Sequence, residues 1–222
     1  MNKKNYLTAT LLIVLLINSF QLFSQNLPAD KFLIKTFERI KKLPNYTCDV
    51  EVKVDVDFIK IGDRKGKLIF IQPDSVNYDI EGFALLPKED PLSRLKDLNP
   101  KDYTIIEMET EKYANSNCRN IKVIPNDIDA DLILAQMCID EKMNIRKVML
   151  YTKNQGKLNF VIDYLNNKNP FFKTVTVLFD VKDMKIPAGM SGDFSKFSKK
   201  NDKKNATTSG KIIINYSNYK TN

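Results

Sequence analysis

Tyr46-Thr47-Cys48-Asp49-Val50-Glu51-Val52-Lys53-Val54-Asp55-Val56-Asp57-Phe58 alternates at every step. Tyr46, Cys48, Val50, Val52, Val54, Val56 and Phe58 share one parity, and every residue between them is polar or charged. Side chains of a strand point to opposite faces with period two, so this stretch predicts a strand with one apolar and one wetted face. Weaker alternation of the same kind recurs along the chain. It predicts one broad antiparallel sheet with an apolar side to cover.

Working outward from this strand, Leu27 to Leu43 reads as an amphipathic helix. Leu33, Phe37 and Ile40 form its apolar stripe with Ile34 beside it, while Lys35, Glu38, Arg39 and Lys41 lie away from it. Pro28 and Asp30 suit a first turn, and Pro44 ends the helix. After the long strand the apolar parity flips near Ile59, as at a bulge or strand end. Further strands are predicted at Gly66–Gln72, Val76–Phe83, Tyr103–Lys112, Arg119–Ile124, Leu132–Asp140, Ile145–Lys153, Leu158–Leu165, Thr174–Val181 and Lys211–Tyr216. Their spacing is that of a meander. Between Phe83 and Tyr103 the period changes: Leu92, Leu95 and Leu98 have helical spacing, which predicts a short helix inside a long connection.

The segment ahead of the helix reads as a signal peptide. Lys3 and Lys4 supply a basic start, Leu7 to Ile17 an apolar run short for a membrane span, and Ser24 a small residue at the cut. An uncleaved anchor is the competing reading. The first cysteine is Cys48, so no lipobox cysteine follows the apolar run. The expectation is a signal over residues 1–24 and one exported, soluble, periplasmic domain over 25–222, large enough for its own core. The signal holds two of the 35 basic residues and no acid, so the mature charge is 33 − 27 = +6. Much of the excess lies in Ser195–Lys211, which reads as a flexible, solvated Lys-rich loop, with contact to anionic lipid or an acidic partner as the alternative. Nucleic acid is not an expected partner, and the protein is expected to be a monomer.

Among 222 residues there is no histidine. That removes the commonest general base and metal ligand, and with it a Ser-His-Asp triad or a Cys-His dyad. Asp127, Asp129 and Asp131 lack the glycine and distal glutamate of a calcium loop and read as turn chemistry. No catalytic residue, metal ligand or cofactor is expected, and the chain reads as a non-enzyme. Cys118 and Cys138 flank a predicted hairpin centred on Asn126–Asp129, so simple antiparallel pairing sets them opposite each other. A disulfide and two buried thiols both fit this placement. Cys48 reads as a small buried hydrophobe.

The remaining signal is apolar surface. Val52, Val54, Val56, Phe58, Leu68, Phe70, Phe83, Leu92 and Leu95 are the candidate lining of a concave face. Helices that fill the concavity completely would give an ordinary core; helices that fill it partly would leave a dry cavity for acyl chains.

The order of signal, amphipathic helix, long strand and glycine-opened strand resembles the LolA-like family of periplasmic lipoprotein carriers. Gly66-Lys67-Leu68-Ile69-Phe70-Ile71-Gln72-Pro73 is similar to the family's G-x-L-x(4)-P strand, and Met184-Lys185-Ile186-Pro187-Ala188-Gly189 to its late strand ending in Pro and Gly. Family carriers often hold arginine before the first of these prolines; this chain has Gln72. The resemblance implies an unclosed β-barrel of antiparallel strands with helices covering its concave side. Leu92, Leu95 and Leu98 would then sit on a lid-like helix, with Leu68 and Phe70 flanking the cavity. The implied function is to shield acyl chains of lipoproteins or lipids during transfer to the outer membrane, with membrane-bound donor and acceptor proteins as further partners. The alternative is an exported envelope interaction or stress-sensing protein with the same fold and a fully packed concave face.

Overall fold

The computed structural model describes residues 27–56, 62–73, 75–80, 99–113, 116–153, 156–166, 170–181 and 208–221. One helix, α1 (Ala29–Lys41), precedes β1 (Tyr46–Val56), β2 (Arg64–Ile71) and β3 (Ser75–Ile80). A single 3-10 turn, Pro100–Asp102, leads into β4 (Tyr103–Tyr113), β5 (Ser116–Pro125), β6 (Leu132–Asp140), β7 (Ile145–Thr152), β8 (Gly156–Tyr164), β9 (Phe172–Val181) and β10 (Thr208–Thr221). Every predicted strand is present, with ends shifted by a few residues; the predicted ends at Phe58 and Phe83 lie outside the described residues. The last is the longest correction, since Lys211–Tyr216 extends to Thr208–Thr221. Among the described residues no helix is long and apolar enough to cross a membrane.

All ten strands join one antiparallel sheet in the order β3-β2-β1-β10-β9-β8-β7-β6-β5-β4. The expected simple meander is therefore two meanders. β1 to β3 form one and β4 to β10 the other, and they are stitched by β1 against β10, with Val52 opposite Ile214 and Val54 opposite Ile212. The sheet does not close, since β3 and β4 are its two edges. They are also consecutive in sequence, so the stretch 81–102 connects one edge strand to the other.

Alternation decides which face is covered. Tyr46, Cys48, Val50 and Val52 of β1 are buried, as are Leu68 and Phe70 opposite them on β2. The same face continues through Ile214 and Tyr216 of β10, Val175, Phe160, Ile162, Val148, Met137 and Ile121. Between β1 and β3 the sheet curls tightly. A Cβ on Gly66 would lie 2.1 Å from the Asp79 carbonyl oxygen and 2.6 Å from Ile80. This close approach is the physical reason for glycine at the head of the G-x-L strand.

α1 packs on the apolar face. Its buried side chains are Phe32, Leu33, Thr36 and Phe37. The predicted stripe is rotated: Ile40 packs only partly and Ile34 is half-buried, while Phe32 and Thr36 turn inward. A threonine is tolerated there because its hydroxyl donates to the Phe32 carbonyl at 2.9 Å, one turn back. Asp30 in the first turn and Arg39 and Lys41 in the last complement the helix dipole.

Candidate functional site

The apolar face is a cup with one built end. Where β1 begins, Tyr46 stacks on Phe70 at 5.0 Å and meets Phe171 and Tyr219, each at 5.3 Å. Phe171 and Tyr219 lie 4.6 Å apart, and Phe172 links Tyr164 to Tyr216 at 5.6 and 5.8 Å. These rings, supplied by five separate stretches of chain, form a floor. Edge-to-face and offset pairs of this spacing hold rings in one arrangement. Their polar tips are accounted for: the Tyr219 hydroxyl donates to the Phe172 carbonyl at 2.8 Å, and that of Tyr164 to the Ile145 carbonyl at 3.0 Å. Burial pushes the Cys48 thiol up to about 12, against the lowering influence of the neighbouring Tyr219. Burial likewise raises Tyr164, Tyr216 and Tyr219 far above the ordinary tyrosine value. The floor therefore holds neutral phenols and a neutral thiol at physiological pH, not an activated nucleophile.

α1 crosses the same end and is tied to it. The Arg119 guanidinium lies 4.3 Å from the centre of the Phe32 ring and makes two 2.7 Å hydrogen bonds to the Glu107 carboxylate. That pairing holds Glu107 below the usual carboxylate range. At the other end of the helix, Arg39 donates to the Lys142 carbonyl and, at 2.7 Å, to the Asn144 side-chain oxygen. Arg39, off the apolar stripe, is thus a tether to the β6–β7 turn. Asn144 belongs to a buried polar knot. Asp140 accepts from the Lys142 and Asn144 amides, both at 2.9 Å, from Asn144 Nδ2 at 3.0 Å and from Arg146 Nε at 2.8 Å. The side-chain amide of Gln72 donates to the Leu43 carbonyl, and its backbone amide donates to Asn45 Oδ1 at 2.9 Å. These bonds fix the α1–β1 loop to the end of β2.

The far end of the cup differs. Val54, Ile80, Ile212, Val177, Leu158, Leu132, Ile105 and Tyr103 continue the apolar face there, and all are only half-buried. The wall thus runs from an aromatic floor to an aliphatic rim. β3 ends at this rim with Ile80, and β4 begins there with Tyr103.

The predicted lining residues divide accordingly. Val52, Leu68 and Phe70 are buried within the cup, Phe70 in its floor, and Val54 stands on the half-buried wall. Val56 pairs with Gly210 in the ladder. Phe58, Phe83, Leu92, Leu95 and Leu98 lie outside the described residues, as do Met184–Gly189 and most of the Lys-rich stretch. The aspartate turn behaves as read: Asp127 Oδ1 accepts from the Asp129 amide at 2.9 Å. Cys118 and Cys138 are free thiols and are not directly opposite, because Cys118 faces Asp140 and Cys138 faces Asn120. The hairpin axis sits one residue further along than symmetry about residue 128 predicts.

A LolA superfamily protein from Nitrosomonas europaea superimposes with TM-score 0.51 at 9% identity, over 89% of this chain and 94% of its own. The fold is LolA-like. A DUF1329 family protein from Desulfovibrio piger matches with TM-score 0.52 at 9% identity, over 88% and 93% of the two chains. A domain from Vibrio parahaemolyticus described as outer membrane lipoprotein-sorting matches with TM-score 0.50 at 11% identity, over 87% and 93%. No family model and no curated protein match the sequence. The LolA-like architecture recognised in the Gly66–Pro73 strand and the helix-then-strand order thus extends over most of the chain, while so little identity leaves function to be argued from the cup itself.

Proposed function

We propose that this protein is a periplasmic carrier whose cup shields acyl chains of lipids or lipoproteins during transfer to the outer membrane. The observation that carries the reading is the half-buried aliphatic rim. A sheet face fully packed by its helix would bury its apolar side chains from end to end; here Val50, Val52, Leu68, Ile121, Met137 and Val148 along the middle of the face are buried, while Val54, Ile105, Leu158, Val177 and Ile212 at the rim are only half-buried. An acyl chain supplies the missing apolar contact without polar partners, and burial alone provides the affinity. No covalent step is part of the function. β3 ends and β4 begins at this rim, and the connection between them carries Leu92, Leu95 and Leu98, the residues the sequence reading assigns to a lid. Donor and acceptor proteins in the two membranes are the expected partners.

Chain length provides the test. Each buried methylene contributes about 0.8 kcal/mol, or about fourfold in affinity. Displacement of a fluorescent acyl probe by saturated fatty acids of rising length is expected to tighten steeply until the cup is filled, then level off. Ile212→Glu, on the half-buried rim, is expected to abolish the gradient while leaving the protein folded. Affinity independent of chain length, or unfolding of Ile212→Glu under native conditions, would favour a packed interaction module instead.

A further inference from the structure

Cys118 and Cys138 lie on the sheet face turned away from the cup. Their partners in the ladder are Asp140 and Asn120, which makes the two cysteines diagonal neighbours on adjacent strands. Both are buried. The cover over them comes from β4 and β7. Glu111 stands opposite Cys118 and Lys147 opposite Cys138, and their side chains meet at 2.8 Å across the pair. The Lys147 ammonium also lies 4.6 Å from the Tyr113 ring centre. Two ladder irregularities flank the site. The β4–β5 register jumps between Met108 and Glu111, and the β6–β7 register jumps between Cys138 and Ile139. Bulges interrupt pairing and bend a strand. The movement that brings the two sulfurs to a bond of about 2 Å is therefore flanked on both sides by irregular backbone, in the β4–β5 and β6–β7 ladders.

We propose that Cys118 and Cys138 are an oxidisable dithiol whose disulfide staples β5 to β6 on the outer face of the sheet. The co-reactant is a disulfide, either a small molecule or a thiol–disulfide oxidoreductase. One cysteine, as thiolate, attacks a sulfur of that disulfide, forming a mixed disulfide and releasing one thiol. The second attacks the protein-bound sulfur and releases the other thiol. The two cysteines lose two protons and two electrons, and the electrons reduce the co-reactant's S–S bond. Burial holds both thiols above the ordinary cysteine range, so the Glu111–Lys147 cover must open before attack. Local opening of an edge strand at its bulge supplies that access. The staple is independent of the carrier reading, because the cysteines do not line the cup.

The test uses the full chain incubated with oxidised glutathione, quenched in acid, denatured, alkylated and analysed by intact mass and peptide mapping. Two of the three alkylatable thiols are expected to disappear, with Cys118 and Cys138 in one linked pair and Cys48 still free. Cys48→Ser is expected to give the same linked pair. Glu111→Gln, which loosens the cover, is expected to reach that endpoint faster. Three free thiols in both wild type and Glu111→Gln would overturn the proposal. So would a bridge that includes Cys48, or glutathione adducts that never resolve to the linked pair.

Discussion

Replacing Asp140 by alanine tests whether the polar knot beneath Arg39 anchors the helix end. Asp140 is 1% exposed and accepts four hydrogen bonds, one from Arg146 Nε at 2.8 Å. Arg146 is itself only 8% exposed. A buried ion pair contributes little net stability when formed, because desolvation offsets attraction, but removing one partner costs about 3–5 kcal/mol. The amides of the β6–β7 turn lose their acceptor as well, at about 1 kcal/mol each where water does not replace it. Partial solvent access at the turn limits that addition, so the expected loss for Asp140→Ala is about 4 kcal/mol. Asp140→Asn keeps the shape and most acceptor capacity and should lose about half as much. Arg39→Met removes only the tether and should cost about 1 kcal/mol. Urea unfolding followed by circular dichroism reads these values. With an m-value of about 2 kcal/mol/M for a domain of this size, Asp140→Ala should lower the midpoint by about 2 M. A shift below about 0.5 M, or a larger loss for Arg39→Met than for Asp140→Ala, would refute the reasoning.

Gly66→Ala forces a methyl against the Asp79 carbonyl oxygen at 2.1 Å, so β3 must move; a loss of about 1–3 kcal/mol is expected in the same urea experiment. Leu95→Glu should weaken acyl-probe binding more than it lowers stability if Leu95 belongs to a lid, because only the closed, filled state must desolvate the charge; a collapse of stability would instead mark Leu95 as core. Glu107 and Glu111 are held below their ordinary value of 4.5 by Arg119 and Lys147. Depressed carboxylates stabilise the fold above that value, and the contribution is lost as pH falls through their folded pKa. Thermal midpoints should therefore be flat from pH 7 to about 5 and drop below about 4.5, and removing both acids should flatten that drop.

The sheet was legible because its signal is local. The Tyr46–Val56 alternation specifies which face is buried without reference to any partner strand, and Val175 and Val177 of β9 alternate with polar residues in the same way. Pairing was less so. β10 lies next to β1 although more than 150 residues separate Val52 from Ile214, and no turn joins them. The aromatic floor was invisible for the same reason. Phe171, Tyr219 and Tyr46 read as ordinary strand and loop residues until three distant segments bring their rings together. The tether role of Arg39 could not be read from its place off the apolar stripe, because its acceptors, Lys142 and Asn144, belong to a turn about a hundred residues away. The cysteine offset shows how one residue of turn geometry displaces a symmetric reading: Cys118 faces Asp140 rather than Cys138.

The carrier account is tested most directly by native mass spectrometry of the protein purified, without detergent, from the envelope of the cell that makes it. The account predicts a second mass series above the bare chain, offset by a lipid or acyl-bearing species, which disappears on organic extraction and returns when acyl lipid is added back. A bare chain alone, unchanged by added acyl lipid while the protein remains folded, would contradict it.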